Sequence, residues 1–219
     1  MRDRALTERI VRHGDLFSAA LGIDLRAPEQ LFRWLLASVL YGKRISEPLA
    51  TRTYRQFEKA GVLSPERILQ TGWDGLVQLL DAGGYTRYDF STATRLLDLS
   101  GTLQKMGGLE AIHRKARDPR DLEASLLKLP GVGPTTANIF LRELRDLWQK
   151  ADPPPSPLVR LAAGNLSVDL DRFDRKTAHF IRLECGLLRI GKDLCKKRKC
   201  DECSFRDACR KPIKPSGQR

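Results

Sequence analysis

The chain has 219 residues, enough for one large domain or two small interlocked ones, and enough to bury a core without disulfides. Hydrophobic residues make up 41% of it, yet no apolar run approaches the roughly 18 residues of a membrane helix, so a membrane partner is excluded from the expectations. The formal net charge of +12 favours a polyanionic partner, most simply nucleic acid, over a merely solubilising surface.

The N-terminal MRDRALTERIVRHGDLF reads as an amphipathic helix. It has no apolar signal core, which points to the cytosol. LFRWLLASVLYG, Leu31 to Gly42, is apolar nearly all round and predicts a buried helix. SEPLATRTYRQFEKAG follows, with Ser46 as N-cap and Gly61 as stop. Ser64 and Pro65 open another helix as a cap and first-turn pair. WDGLVQLLDAGGY predicts a short helix ending at Gly83 and Gly84, and FSTATRLLDLSGTLQKMGG a longer one ending at Gly107 and Gly108. DLEASLLKLPGVGPTTANIFLRELRDLW then reads as helix, turn, helix. Alternating strand patterns are scarce, so the chain is expected to be all-α.

Pro153, Pro154 and Pro155 interrupt this pattern with an extended segment, a natural crossing between two subdomains. Ser156 then caps a new helix with Pro157 at its first position. The last residues, 212–219, are expected to be disordered. From Lys192 onward ten Lys/Arg face four Asp/Glu, which concentrates half of the net charge in a short tail.

Two stretches carry chemistry. In LPGVGPTTAN, Gly131 and Gly133 let the backbone approach a partner and adopt positive φ. Amide groups then point outward where the next helix begins, a ready anion site. Leu129 and Val132 lock the turn between its helices. Such a helix–hairpin–helix holds one DNA backbone without reading bases; the plainer alternative is a tight turn with no ligand.

The second stretch is CKKRKCDECSFRDAC, in which Cys195, Cys200, Cys203 and Cys209 follow C-x4-C-x2-C-x5-C spacing. Four soft thiolates this close in a cytosolic protein imply a metal and not disulfides. Zinc and a [4Fe–4S] cluster both accept four thiolates, and the uneven gaps lean toward iron–sulfur. Lys196, Lys197, Arg198 and Lys199 fill the first gap, where they can contact phosphate or offset the cluster's charge. Cys185, on the apolar face of FIRLECGLL, is expected to be a core thiol.

Together the two motifs resemble the endonuclease III family of helix–hairpin–helix DNA glycosylases. LPGVGPTTAN is similar to that family's hairpin. The Cys195–Cys209 run, with Gly191 ahead of it, resembles its terminal [4Fe–4S] loop, with a first gap two residues shorter than usual. LFRWLLASVLYGKRIS resembles an early barrel helix. The resemblance spans roughly residues 28 to 210.

It implies a two-domain all-α fold. A six-helix barrel would occupy 28–149, with the hairpin motif at about 122–148, and a helical iron–sulfur domain would join 1–27 to 150–211. Double-stranded DNA, damaged at one base, would lie across the cleft with that nucleotide flipped out, and the protein would act as a monomer. The Leu129, Gly131, Val132, Gly133 and Thr136 turn would bind DNA.

Three departures stand against the family pattern. The lysine that gives bifunctional members their Schiff base is replaced by Thr135, which cannot form an imine, so lyase chemistry is not expected. The family aspartate, which stabilises the developing sugar cation, falls on Ser156 in an ungapped match. Asp152, four residues earlier and about 12 Å away if extended, is the candidate replacement. Asp169 and Asp171 in VDLDR are local look-alikes too far along the chain. The residues that fill the gap left by a flipped base would be Gly84, with Tyr85 beside it to stack, and Lys43, placed to meet a phosphate or to act as an amine nucleophile. Arg87 and Lys128 are candidate backbone contacts. Two functions follow: a monofunctional glycosylase, or a DNA-binding module that kept the scaffold without efficient catalysis.

Overall fold

The computed structural model describes residues 2–210, so the expected 212–219 tail lies outside the described residues. Among those residues the chain is helical, with no strand. It divides into two compact units. One runs from Leu21 to Pro153; the other joins the segment before it to the segment after it.

The Leu21–Pro153 unit is built on the helix α3 (Leu31–Tyr41), following α1 (Arg2–Arg12) and the short α2 (Phe17–Ala20) of the other unit. Trp34, Leu35, Leu36, Ala37, Val39 and Leu40 are all buried, as an all-round apolar helix requires. Trp34 Nε1 donates to the Phe140 carbonyl at 3.1 Å, which satisfies the one polar atom of the largest core side chain. The remaining helices of this unit are α4 (Glu47–Lys59), α5 (Pro65–Gly83), α6 (Asp89–Met106), α7 (Gly108–Lys115), α8 (Pro119–Leu127) and α9 (Pro134–Arg142). Ser46 and Ser64 cap α4 and α5 through their hydroxyls, as their positions predict.

Three elements differ from expectation. The SPERILQTG and WDGLVQLLDAGG stretches form one helix, α5, kinked at Gly72. Gly108 opens α7, where sequence punctuation suggested only a stop. The helix after the hairpin ends at Arg142 and does not run on to Trp148. At its end and just beyond, Arg142, Glu143 and Arg145 are all buried, and Trp148 stacks on His113 with centroids 4.5 Å apart.

In the second unit α11 (Ala178–Arg189) packs against both α1 and α10 (Pro157–Leu166). Ile10, Val159, Ala162, Leu166, Phe180, Leu183, Leu187 and Ile190 form its core. Phe205, from the cysteine loop, is inserted into the same core. Its burial stabilises the loop by about 2 kcal/mol. Arg9 holds the loop from outside, donating to Asp207 at 3.0 Å and to the Ser204 carbonyl at 2.6 Å, with its guanidinium 5.3 Å from the Phe205 ring centre. No described helix is long and apolar enough to cross a membrane.

Candidate nucleic-acid interface

The hairpin between α8 and α9 is set by three residue choices. Leu129 and Val132 are buried and pin the turn on both sides. Gly131 has φ +79°, where a side chain is disfavoured, and a Cβ there would stand 3.2 Å from Arg95 Cβ. Pro134 starts α9 at the position where a missing N–H costs nothing. The first amide bonded within α9 is that of Ala137, to the Gly133 carbonyl at 2.9 Å. The N–H groups of Thr135 and Thr136 ahead of it are the orphan donors of a helix start, and no side chain caps them.

Several sequence expectations need correction here. Gly133 is extended (φ −98°, ψ 179°), so only Gly131 uses positive φ. Leu129, Val132 and Thr136 cannot offer side chains to DNA, because all three are buried; any contact at these positions is through backbone. Thr136 faces the end of α3: a Cβ on Gly42 would lie 2.3 Å from Thr136 Oγ1, so glycine at 42 is what lets α3 and α9 meet. Tyr85 is buried, its hydroxyl donating to the Leu40 carbonyl at 3.0 Å, so it is core and not a base-stacking ring. Gly84 is the left-handed C-cap of α5 (φ +87°), and Arg52 lies against it. No wedge side chain stands at that position.

Lys43 follows Gly42 directly and therefore sits beside the start of α9. Partial burial, and then the charge of Arg95, lower its amine below the usual lysine value. Arg95 itself lies along Gly131. Arg95 thus lies against the hairpin, and Lys43 is near enough to Arg95 for the two charges to repel. Arg95 was missed in the sequence because nothing in TATRLLDL separates it from an ordinary solvated charge. Arg87 is exposed, with its guanidinium 5.5 Å from the Tyr88 ring centre, and Lys128 is exposed at the end of α8.

Thr135 is exposed on the first turn of α9. Asp152, in the same unit, pairs with Arg145, whose side chain is fully buried and also donates to the Pro153 carbonyl at 2.5 Å. Ser156 belongs to the other unit, where its hydroxyl accepts from the Val159 amide at 3.4 Å and caps α10. Asp169 accepts from the Asp171 amide at 3.1 Å. Both line a surface cavity of about 440 Å³ with Arg160 and Arg175.

The cysteine loop leaves α11 through a π-turn, Ile190–Cys195, closed by the Lys196 amide on the Gly191 carbonyl at 2.9 Å. Gly191 lets this turn pass α10, since a Cβ there would stand 2.1 Å from the Leu158 carbonyl oxygen. Cys195, Cys200, Cys203 and Cys209 are all half-buried, while Cys185 is fully buried. Burial pushes the Cys195 thiol up, a hydrogen bond with Asn165 pulls it back, and the charges of Cys203, Cys209 and Cys200 push it up again.

Cys195, Cys203 and Cys209 pack against the core of this unit, and among the described residues no group of three or more His, Cys, Asp or Glu stands in metal-holding geometry. The donor set, four thiols with no imidazole or carboxylate, fits a four-thiolate centre in its chemistry. Of the expected phosphate contacts, Lys197 pairs with Asp193 at 3.2 Å and Lys199 with Glu202 at 2.8 Å. Lys196 is exposed and among the described residues enters no ion pair. No family model and no curated protein matches this chain.

Proposed function

We propose that the chain is a DNA-binding protein of the endonuclease III type that removes a damaged base by cleaving its N-glycosidic bond. Water, and not an amine, is the nucleophile in this reading, because Thr135 holds the lysine position. The observation that carries it is the hairpin: a positive-φ Gly131, uncapped amides at the start of α9, and Arg95 against the turn with Lys43 near it. This arrangement suits a phosphate of duplex DNA. Asp152 is the residue assigned to stabilising the sugar cation. The four cysteines would hold a [4Fe–4S] cluster, whose contribution is to fix the basic loop Lys196–Lys199 in one shape.

A second reading is favoured by the Arg145–Asp152 pair. A carboxylate already matched to a buried guanidinium has less charge to offer a developing cation. In that reading the chain grips damaged DNA without cleaving it. One assay separates the two. Duplexes carrying a single oxidised, alkylated, deaminated or abasic site are incubated with the protein, then read with and without hot alkali. Breaks only after alkali support the glycosylase. Tight binding with no breaks on any substrate leaves the grip alone, and no salt-sensitive binding at all removes both readings.

A further inference from the structure

The two ends of the cysteine loop meet on the last turn of α10. Leu158 and Asn165 are seven residues apart and share a face of that helix. The π-turn Ile190–Cys195 passes α10 at Leu158, where only a glycine at 191 leaves room, and ends at Cys195. There the Asn165 side chain is hydrogen-bonded to the Cys195 sulfur. The amide N–H is the one group of that side chain that can donate to a thiolate. At the other end of the loop, the Arg210 amide, directly after Cys209, donates to the Asn165 carbonyl at 2.8 Å.

The carbonyl bond completes a helix end. Ser167, left-handed at φ +58°, closes α10 with its amide on the Ala163 and Gly164 carbonyls. Arg210 then takes the next free carbonyl, that of Asn165. Any residue at 165 could accept this bond, because it is a backbone bond. What asparagine adds is the side-chain donor, and that donor meets the first of the four cysteines. Cys195, Cys203 and Cys209 pack against the core that α10 helps to form. Asn165 is itself half-buried, so water competes only in part for its bonds.

We propose that Asn165 is a positioning residue of the four-thiolate centre, its amide donating to the Cys195 sulfur while its carbonyl holds the far end of the same loop. This role rests on the four-thiolate reading above and adds to it a residue on which metal retention depends. A donor at a ligating sulfur stabilises the thiolate and fixes its direction. Tying the first and last ligands to one residue also leaves less loop-closure entropy for the metal to overcome.

The test times metal release from the full chain, purified without air, into an excess of chelator, with iron and zinc counted by elemental analysis. Asn165→Asp and Asn165→Leu fill the space of the asparagine and cannot donate, whereas Asn165→Ala empties it. The two filling variants should release metal about ten to a hundred times faster than the parent, the usual effect of losing a partner behind a ligand. Asn165→Asp should be the faster of them, because its charge faces the sulfur. The metal-free forms of the parent and of Asn165→Leu should melt alike. If both filling variants keep metal like the parent and only Asn165→Ala loses it, the residue is packing and the donor role falls. Equal retention by the parent and every variant overturns that role too, and in both cases the four-thiolate reading stands. A metal-free Asn165→Leu that melts well below the metal-free parent assigns fast release to a weakened helix and likewise sinks the donor role. A parent with neither iron nor zinc overturns both readings.

Discussion

Replacing Asp152 by Asn should be costly for folding before it says anything about catalysis. The substitution keeps the shape of the side chain and removes the charge matched to Arg145. Arg145 is fully buried, and Asp152 is one of the groups that hold its charge there. Removing one partner of a buried pair typically costs about 3–5 kcal/mol. Asp152 is 30% exposed, so water screens part of the pair, and a loss of about 2 kcal/mol is the better expectation. For a unit of this size that is a fall in melting temperature of roughly 6–10 °C. Calorimetry or circular dichroism melts would measure it. The double variant Arg145→Met/Asp152→Asn should regain part of the loss, because the buried guanidinium is removed together with the carboxylate it faces. If Asp152 also acts on the sugar, the double variant will be stable and inactive. A melting temperature for Asp152→Asn within a degree or two of the parent would refute the argument that this pair holds the segment after α9.

Lys43 is depressed by burial and by Arg95, so it is a base that loses its proton at lower pH than an ordinary lysine. Bound phosphate would favour the charged form, and DNA affinity should therefore fall as pH rises through that lowered value; Lys43→Arg, charged throughout, should flatten the alkaline limb, and Lys43→Gln should reduce the salt slope by about one. Ser156→Ala removes a helix cap and should cost about 1 kcal/mol in denaturant unfolding, with kcat on any cleaved substrate unchanged; a large fall in kcat would return Ser156 to the catalytic site. Cys200→Ser should abolish bound iron in anaerobically purified protein and destabilise α10 and α11, while a colourless parent with one zinc would overturn the iron–sulfur assignment.

The helices were legible where the sequence repeats its signals. Ser46, Ser64 and Ser156 each precede a proline-containing first turn, and each caps as read. α3 is apolar all round and is buried all round. What failed was direction. GGYTRYDF has two tyrosines and a phenylalanine close together, and nothing local says which ring faces outward. Tyr85 goes inward because the Leu40 carbonyl lies within reach of its hydroxyl, a contact across 45 residues. Phe90 is left outside. Nothing in RELRDLW marks Arg145 for burial, which depends on the proline run returning Asp152 to it. Thr136 and Gly42 likewise make sense only as a pair, through the crossing of α3 and α9. Such facts live in contacts between distant segments, which no periodicity encodes.

The union of α1 with α10, α11 and the cysteine loop has a consequence for biosynthesis. α1 leaves the ribosome well before its partner α11, which is completed only at Arg189. At about 5–20 residues per second, α1 waits roughly 10–35 s with its apolar face uncovered. During that interval the whole Leu21–Pro153 segment emerges and can fold as a self-contained unit. The early helix is therefore a tether held in reserve, and its exposed face is the natural point for a chaperone to engage the nascent chain. Moving α1 to follow the cysteine loop by circular permutation would shorten the wait and should raise the yield of folded protein in a chaperone-depleted translation extract.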